Sequence, residues 1–343
     1  MKKHAIIPVF IPHMGCPHNC VFCNQDTITA KTSPGSADDV REIIEERLPT
    51  LKGRGLDTVE IAFFGGSFTG IPLEQQKKYL AVAKEYKDSK QVDKIHISTR
   101  PDYINITVLE NLRKFGVDII ELGAQSFDDD VLSLSERGHN ASDIEKASTL
   151  ISSYGFSLGI QLMIGLPGDT AEKAIASAKK TVLLAPDIAR LYPTVVFEGT
   201  RLAEMKKEGS YCPLSEDQAI EITKEMYKIL DAAGIKIIRV GLKSTDLVNA
   251  ENDLCGNYHP AFRQLVEGAI AREIMEELIS TNMEKEKSFC FTTNKKSFSG
   301  MIGHKGCNRN YFKKKYPSLT FSYTVDDMLP DRTYKLKVPF PGK

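Results

Sequence analysis

Apolar residues in this chain follow two periods that take turns along its length. Short runs rich in Ile, Val and Phe lie at 6–11, 58–64, 93–98, 117–122, 156–164 and 188–196, and one more at 235–240. Between them, 38–51, 73–86, 108–115, 171–184 and 216–233 repeat apolar positions every three or four residues, the period of an amphipathic helix. Ser36 and Ser215 stand where helix N-caps are expected, and Pro167 with Asp169 is read as opening a helix after the fifth run. Continuous apolar strands alternating with helices predict a parallel sheet covered by helices. Six such units predict an α/β fold, an open or partial (β/α)6 barrel, with the seventh run closing an edge.

The pattern stops after Lys243. Beyond it the run Asn257-Tyr258-His259-Pro260-Ala261-Phe262-Arg263 precedes a helical stretch at 264–279. Segments 289–293 and 319–324 alternate like strands, with Gly300, Gly303 and Gly306 read as turns between them. The expected division is therefore 1–243, a barrel domain, and 244–343, a small α+β extension. Charge supports a separate extension. The chain has 45 Lys+Arg and 45 Asp+Glu, yet 284–343 holds about 13 basic against about 5 acidic residues, leaving the rest acidic by about eight. In that tail Lys295, Lys296, Lys305, Arg309, Lys313, Lys314 and Lys315 interleave with Phe291, Phe298, Tyr311, Phe312 and Tyr316. Such a mixture can track a phosphate backbone and stack bases, so RNA is a candidate partner. A solvated basic face fits the same pattern.

No apolar run approaches the roughly twenty residues of a membrane span, so no membrane association is expected. Met1-Lys2-Lys3 before an apolar stretch mimics a short signal peptide, but two prolines and two histidines interrupt it. Seven cysteines, three of them clustered, fit reduced thiols and a cytoplasmic location better than a disulfide scaffold.

The clustered three are Cys16, Cys20 and Cys23, spaced C-x3-C-x2-C in the loop after the first strand. Soft thiolates this close can hold three corners of a [4Fe–4S] cluster, leaving one iron open to a substrate or cofactor. A Cys3His zinc site using His13 or His18 tolerates the same gaps. In parallel α/β folds the C-terminal strand ends carry the site. The loops there hold Gly65-Gly66-Ser67 after strand two, Arg100 after three, Gln125 after four and Gly165 after five. Cys212, Cys255, Cys290 and Cys307 stand singly and are read as structural, Cys255 being the one placed to serve as a thiol hydrogen donor or fourth ligand.

The cysteine spacing with an aromatic before the third cysteine, followed by a strand ending in Gly65-Gly66, resembles the radical S-adenosylmethionine (radical SAM) superfamily. Ser98-Thr99-Arg100-Pro101-Asp102, Gly123-Ala124-Gln125-Ser126-Phe127, Glu136-Arg137-Gly138-His139 and Gly165-Leu166-Pro167-Gly168 follow in order. That series resembles the radical SAM domain of the Elongator catalytic subunit and the oxygen-independent coproporphyrinogen oxidases, over about residues 6 to 243. The resemblance implies a [4Fe–4S] cluster on Cys16, Cys20 and Cys23 and S-adenosylmethionine as cosubstrate, cleaved reductively to a 5′-deoxyadenosyl radical. It implies that Gly65, Gly66 and Ser67 meet the methionine amino group, Arg137 the carboxylate, Gln125 the ribose or methionine, and the loop at Gly165 the adenine side. An electron donor such as flavodoxin or ferredoxin is implied as well. Hydrogen abstraction in RNA (tRNA) modification is the expected role. A porphyrin- or haem-related radical SAM enzyme, or a cluster-bearing RNA-binding protein without turnover, are the alternatives. Two positions depart from the pattern: Ser98 replaces an acidic residue, and Gln161 replaces the aspartate of the fifth strand in coproporphyrinogen oxidases. An acetyltransferase activity like that of the Elongator subunit's second domain is not expected, since only about a hundred residues follow the barrel.

Overall fold

The computed structural model describes residues 4–11, 16, 18–23, 35–244, 248–249, 251–255, 258–283 and 287–337. A seven-stranded sheet runs β1 (His4–Ile11), β2 (Thr58–Gly65), β3 (Lys94–Thr99), β4 (Ile119–Gln125), β5 (Ser157–Ile164), β6 (Ile188–Pro193) and β7 (Lys236–Val240). Its spatial order is the order of the sequence, and every neighbouring pair is parallel. The helices between are α1 (Ala37–Leu51), α2 (Leu73–Asp88), α3 (Ile106–Lys114), α4 (Asp129–Leu134), α5 (Ala141–Ser153), α6 (Ala171–Leu183), α7 (Arg201–Lys207) and α8 (Glu216–Ala232). The sheet curls into the partial barrel that the alternation predicted.

Local chemistry explains the boundaries. Ser36 and Ser215 cap α1 and α8, accepting from Asp39 N and Gln218 N in reciprocal capping boxes. Asn105 caps α3 through Val108 N, so that helix starts two residues earlier than its apolar period indicates. The cap of α6 is Thr170. Pro167 and Asp169 therefore belong to the turn before the helix, because the Asp169 carboxylate is occupied by the Gly165 and Thr170 amides.

One face of each strand supplies the core. Ile7, Val9 and Ile11 of β1, Ile61 and Phe63 of β2, Ile95 and Ile97 of β3, Ile120 and Leu122 of β4 and Leu158, Ile160 and Leu162 of β5 are all buried in one cluster with the helices. Burying such side chains stabilises by about 1.5–3 kcal/mol each, and the period of two leaves the alternate residues facing the barrel interior.

After the barrel, α9 (Phe262–Asn282) joins two cores. Its Phe262 and Val266 pack in the barrel cluster, while Ala271, Met275 and Ile279 pack with Phe289, Phe291, Met301 and Phe312. The second region holds β8 (Ser288–Thr293), α10 (Phe298–Ile302), α11 (Cys307–Lys315), β9 (Thr320–Val325) and β10 (Lys335–Lys337), with sheet order β10-β8-β9. The glycines between the two alternating runs are thus not simple turns between strands. Gly303 and Gly306, at φ 79 and 78, end α10 and begin α11. The aromatic residues also sit differently from a base-stacking platform: Phe291 and Phe312 are fully buried, and the Tyr311 hydroxyl donates to Glu276 at 2.7 Å. Among the described residues no helix is long and apolar enough to cross a membrane.

Candidate functional site

The strand ends of β2, β3 and β4 are tied into one buried network. Thr99 Oγ1 lies 2.8 Å from Ser67 Oγ and 2.6 Å from Thr69 Oγ1, and Arg100 N donates to Ser67 Oγ at 3.3 Å. Gly66 N donates to Ile11 O, linking the glycine turn to the end of β1. Gly65 adopts φ 98, a conformation that glycine enters without a side-chain penalty. Arg100 is clamped by Asp102, Nε to Oδ1 at 3.0 Å and Nη2 to Oδ2 at 2.9 Å, and Nη2 also donates to the Arg137 carbonyl.

Arg137 occupies the turn between α4 and α5 and is buried. Its Nη1 donates to Cys20 Sγ at 3.1 Å and its Nη2 to Gly123 O at 2.7 Å. Val21 N donates to Ser135 O, and the His18 ring packs so closely on Gly138 that no side chain fits there. The cysteine loop and the Arg137 turn are therefore one assembly. His13 and Gly15 lie outside the described residues. Beside this assembly the His139 imidazole is pulled down to about 4 by burial and by the Arg137 and Arg100 charges. The ring is neutral at ordinary pH, and Nε2 donates to Ala124 O at 3.3 Å.

Gln125 ends β4 at a register shift, with φ 69, and is buried. Its Oε1 accepts from Gln161 Nε2 at 3.2 Å, so the amide on β5 holds the amide at the end of β4. Gly165 takes φ 81, and a Cβ there would come within 2.7 Å of Leu214 Cδ1. Asp169 Oδ2 accepts from Gly165 N at 2.8 Å, and the Tyr211 hydroxyl donates to Gly165 O at 2.7 Å. Burial pushes the Asp169 carboxyl up to about 6, against the lowering effect of the Gly165 and Thr170 amides.

The barrel interior holds charges that the strand pattern alone did not mark as functional. Glu60 Oε1 accepts from His96 Nδ1 at 3.2 Å, and its Oε2 lies 3.1 Å from His4 Nε2. Burial raises the Glu60 carboxyl, but those two imidazoles outweigh it and hold it down at about 2. Arg190 Nε lies 2.8 Å from Glu121 Oε2, and its guanidinium lies 4.4 Å from the Phe64 ring centre. A lone Glu, His or Arg between two apolar residues in each of β2, β3, β4 and β6 was the available signal.

The donor set fits an iron–sulfur cluster. None of the seven cysteines is in a disulfide. Among the described residues no three His, Cys, Asp or Glu side chains converge on one ion; a cubane asks instead for three thiolates on three different corners. Two buried guanidinium atoms, Arg100 Nη1 and Arg137 Nε, have no hydrogen-bond partner, which suits a site completed by an anionic ligand.

Residues 10–181 match the radical SAM superfamily, and 186–272 match the radical SAM C-terminal domain. The chain belongs to the radical SAM superfamily. This radical SAM protein is 28% identical over 293 residues to the tRNA uridine(34) acetyltransferase of Dehalococcoides mccartyi, covering 76% of this chain and 63% of that one. It is 33% identical over 230 residues to an uncharacterized protein of Methanocaldococcus jannaschii, 64% of this chain and 70% of that. The archaeal Elp3 of Methanocaldococcus infernus lacking its N-terminus shares the fold, with TM-score 0.59 at 22% identity over 84% of this chain and 65% of that one. The chain thus spans less than two thirds of the acetyltransferase relative and of the solved Elp3 chain.

Proposed function

We propose that this radical SAM protein holds a [4Fe–4S] cluster on Cys16, Cys20 and Cys23 and cleaves S-adenosylmethionine reductively, for hydrogen abstraction in RNA (tRNA) modification. The observation that carries the reading is the joining of the cysteine loop to the ends of β2, β3 and β4 through Ser67, Thr99, Arg100 and Arg137. When bound, the cluster supplies one electron to the sulfonium, giving methionine and a 5′-deoxyadenosyl radical. The chain's own residues bind and orient. Gly65, Gly66 and Ser67 receive the amino group, and Arg137 offers its unpartnered Nε to the carboxylate. The Gln125–Gln161 amide pair faces the ribose or methionine. Gly165, fixed by Asp169 and Tyr211, lines the adenine side. Packing of Val21 with Val196, Leu202 and Tyr211 covers the chain beside Cys20.

RNA as substrate is supported by the likeness to the tRNA uridine(34) acetyltransferase of Dehalococcoides mccartyi and by charge on the extension. Lys315 is neutralised by Glu276 and Lys296 by Asp331, but Lys305, Arg309, Lys313 and Lys314 are exposed and form no ion pair among the described residues. With Phe291 and Phe312 buried, this surface contacts phosphates rather than stacking bases. Residues 244–343 are read as an RNA-facing extension, flavodoxin or ferredoxin as the electron donor, and the cytoplasm as the location.

Salt-dependent retention of RNA tests the substrate. Phosphate contacts give an affinity that falls steeply with salt. Retention at low salt, lost in a Lys305, Arg309, Lys313 charge-reversal variant, is expected. No retention at any salt removes RNA from the reading. Deleting 285–343 is a poor test, because it strips the cover from Ala271, Met275 and Ile279 of α9.

A further inference from the structure

We propose that Arg137 tunes the reduction potential of the cluster through an N–H···S hydrogen bond to Cys20, and that Arg100 is the positioning residue that holds it there. The inference rests on the cluster reading above and goes beyond it, since the family resemblance gives Arg137 only the cosubstrate carboxylate.

The geometry is specific to one of the three sulfurs. Cys20 is buried at 6% exposure, whereas Cys16 and Cys23 are half-buried. Arg137, also 6% exposed, places Nη1 3.1 Å from Cys20 Sγ. Its second nitrogen, Nη2, donates to Gly123 O. Nε is without a partner and each Nη keeps a second N–H, so Arg137 can hold a carboxylate while Nη1 stays on Cys20.

The backbone does not let the side chain drift. Glu136 at φ 53 and Gly138 at φ 71 flank Arg137, so the turn is held between two left-handed residues. The Arg137 carbonyl is gripped by Arg100 Nη2, and Arg100 is itself fixed by Asp102. Val21 N on Ser135 O and His18 on Gly138 join the same turn to the cysteine loop from the other side.

The consequence is electrostatic. Reduction adds one electron, taken from the donor, which is oxidised by one; no bond forms or breaks in the protein. A buried positive charge and a hydrogen bond on a cluster sulfur stabilise the reduced, more negative form, and a low-dielectric site magnifies both. Arg137 therefore raises the potential and makes the cluster easier to reduce.

The test uses the full chain, reconstituted anaerobically and titrated with dithionite without S-adenosylmethionine, so that the carboxylate contact is absent. Arg137→Gln is expected to move the midpoint to a more negative value, and Arg137→Lys less far. Arg100→Gln should shift it the same way by a smaller amount, with Arg100→Lys restoring most of it. Resonance Raman of the wild-type cluster should show Fe–S(Cys) bands that move between H2O and D2O, a readout that needs no variant to fold. An unchanged midpoint in Arg137→Gln, or wild-type bands insensitive to deuterium, overturns the inference even if cosubstrate affinity falls. A wild-type chain that assembles no [4Fe–4S] cluster overturns the reading beneath it as well.

Discussion

Replacing Asp169 by asparagine should remove a pH dependence from the stability of the protein. Asp169 fixes the turn after β5 by accepting from the Gly165 and Thr170 amides, and burial pushes its carboxyl from 3.8 up to about 6. A carboxyl raised in the folded state favours folding at low pH, fully below about 4, and that contribution is lost as pH rises through about 6. Two pKa units correspond to about 3 kcal/mol in all, of which about 1.4 kcal/mol falls between pH 5 and pH 8. The asparagine side chain carries no such titration, although its single acceptor oxygen leaves one amide less well paired, a loss of about 1 kcal/mol that does not change with pH. The wild type should therefore exceed Asp169→Asn in melting temperature at pH 5 by more than at pH 8, the gap narrowing by about 2 °C. Calorimetry of both proteins at the two pH values gives the difference directly. Curves that run parallel, or a wild type that gains on the variant as pH rises, would show instead that the two amides outweigh burial at Asp169.

Thr99→Val leaves the Ser67 and Thr69 hydroxyls without their shared partner and should destabilise the chain by about 2–4 kcal/mol in urea unfolding, with Thr99→Ser recovering most of it. Gly165→Ala places a methyl against Leu214 at a φ of 81 and should cost about 1–3 kcal/mol by the same measurement, with weaker S-adenosylmethionine binding. Cys20→Ala should abolish iron incorporation, whereas Cys255→Ala and Cys212→Ala should leave about four irons per chain by colorimetric assay. Charge reversal at Lys305, Arg309 and Lys313 should flatten the salt dependence of RNA retention by about 0.7–0.9 in log–log slope per lost phosphate contact.

Much of the fold was legible because burial on both faces of a parallel sheet, or against helices, writes long apolar runs that periodicity detects. All seven barrel strands appear within a few residues of their predicted places. The second region was harder. Gly300 lies inside α10 while Gly303 and Gly306 mark its end and the start of α11, and α11, with Arg309, Lys313 and Lys314 on it, is too polar to announce a helix by apolar period. At the site, the loop positions of Ser67, Gln125, Arg137 and Gly165 followed from strand order. What sequence could not give was partnership across the chain: Arg137 on Cys20, 117 residues away, or Gln161 on Gln125. The interior charges Glu60, His96, Glu121 and Arg190 were visible as single polar residues inside apolar strands, and their pairing depends on a curvature that no local pattern encodes.

The most direct measurement of the central claim is product analysis of anaerobically reconstituted protein mixed with dithionite and S-adenosylmethionine. About four irons and four sulfides per chain and release of 5′-deoxyadenosine with methionine are expected, both lost in Cys20→Ala. A native protein carrying one zinc and no sulfide, or a loaded cluster that yields no 5′-deoxyadenosine above the Cys20→Ala control, would contradict it.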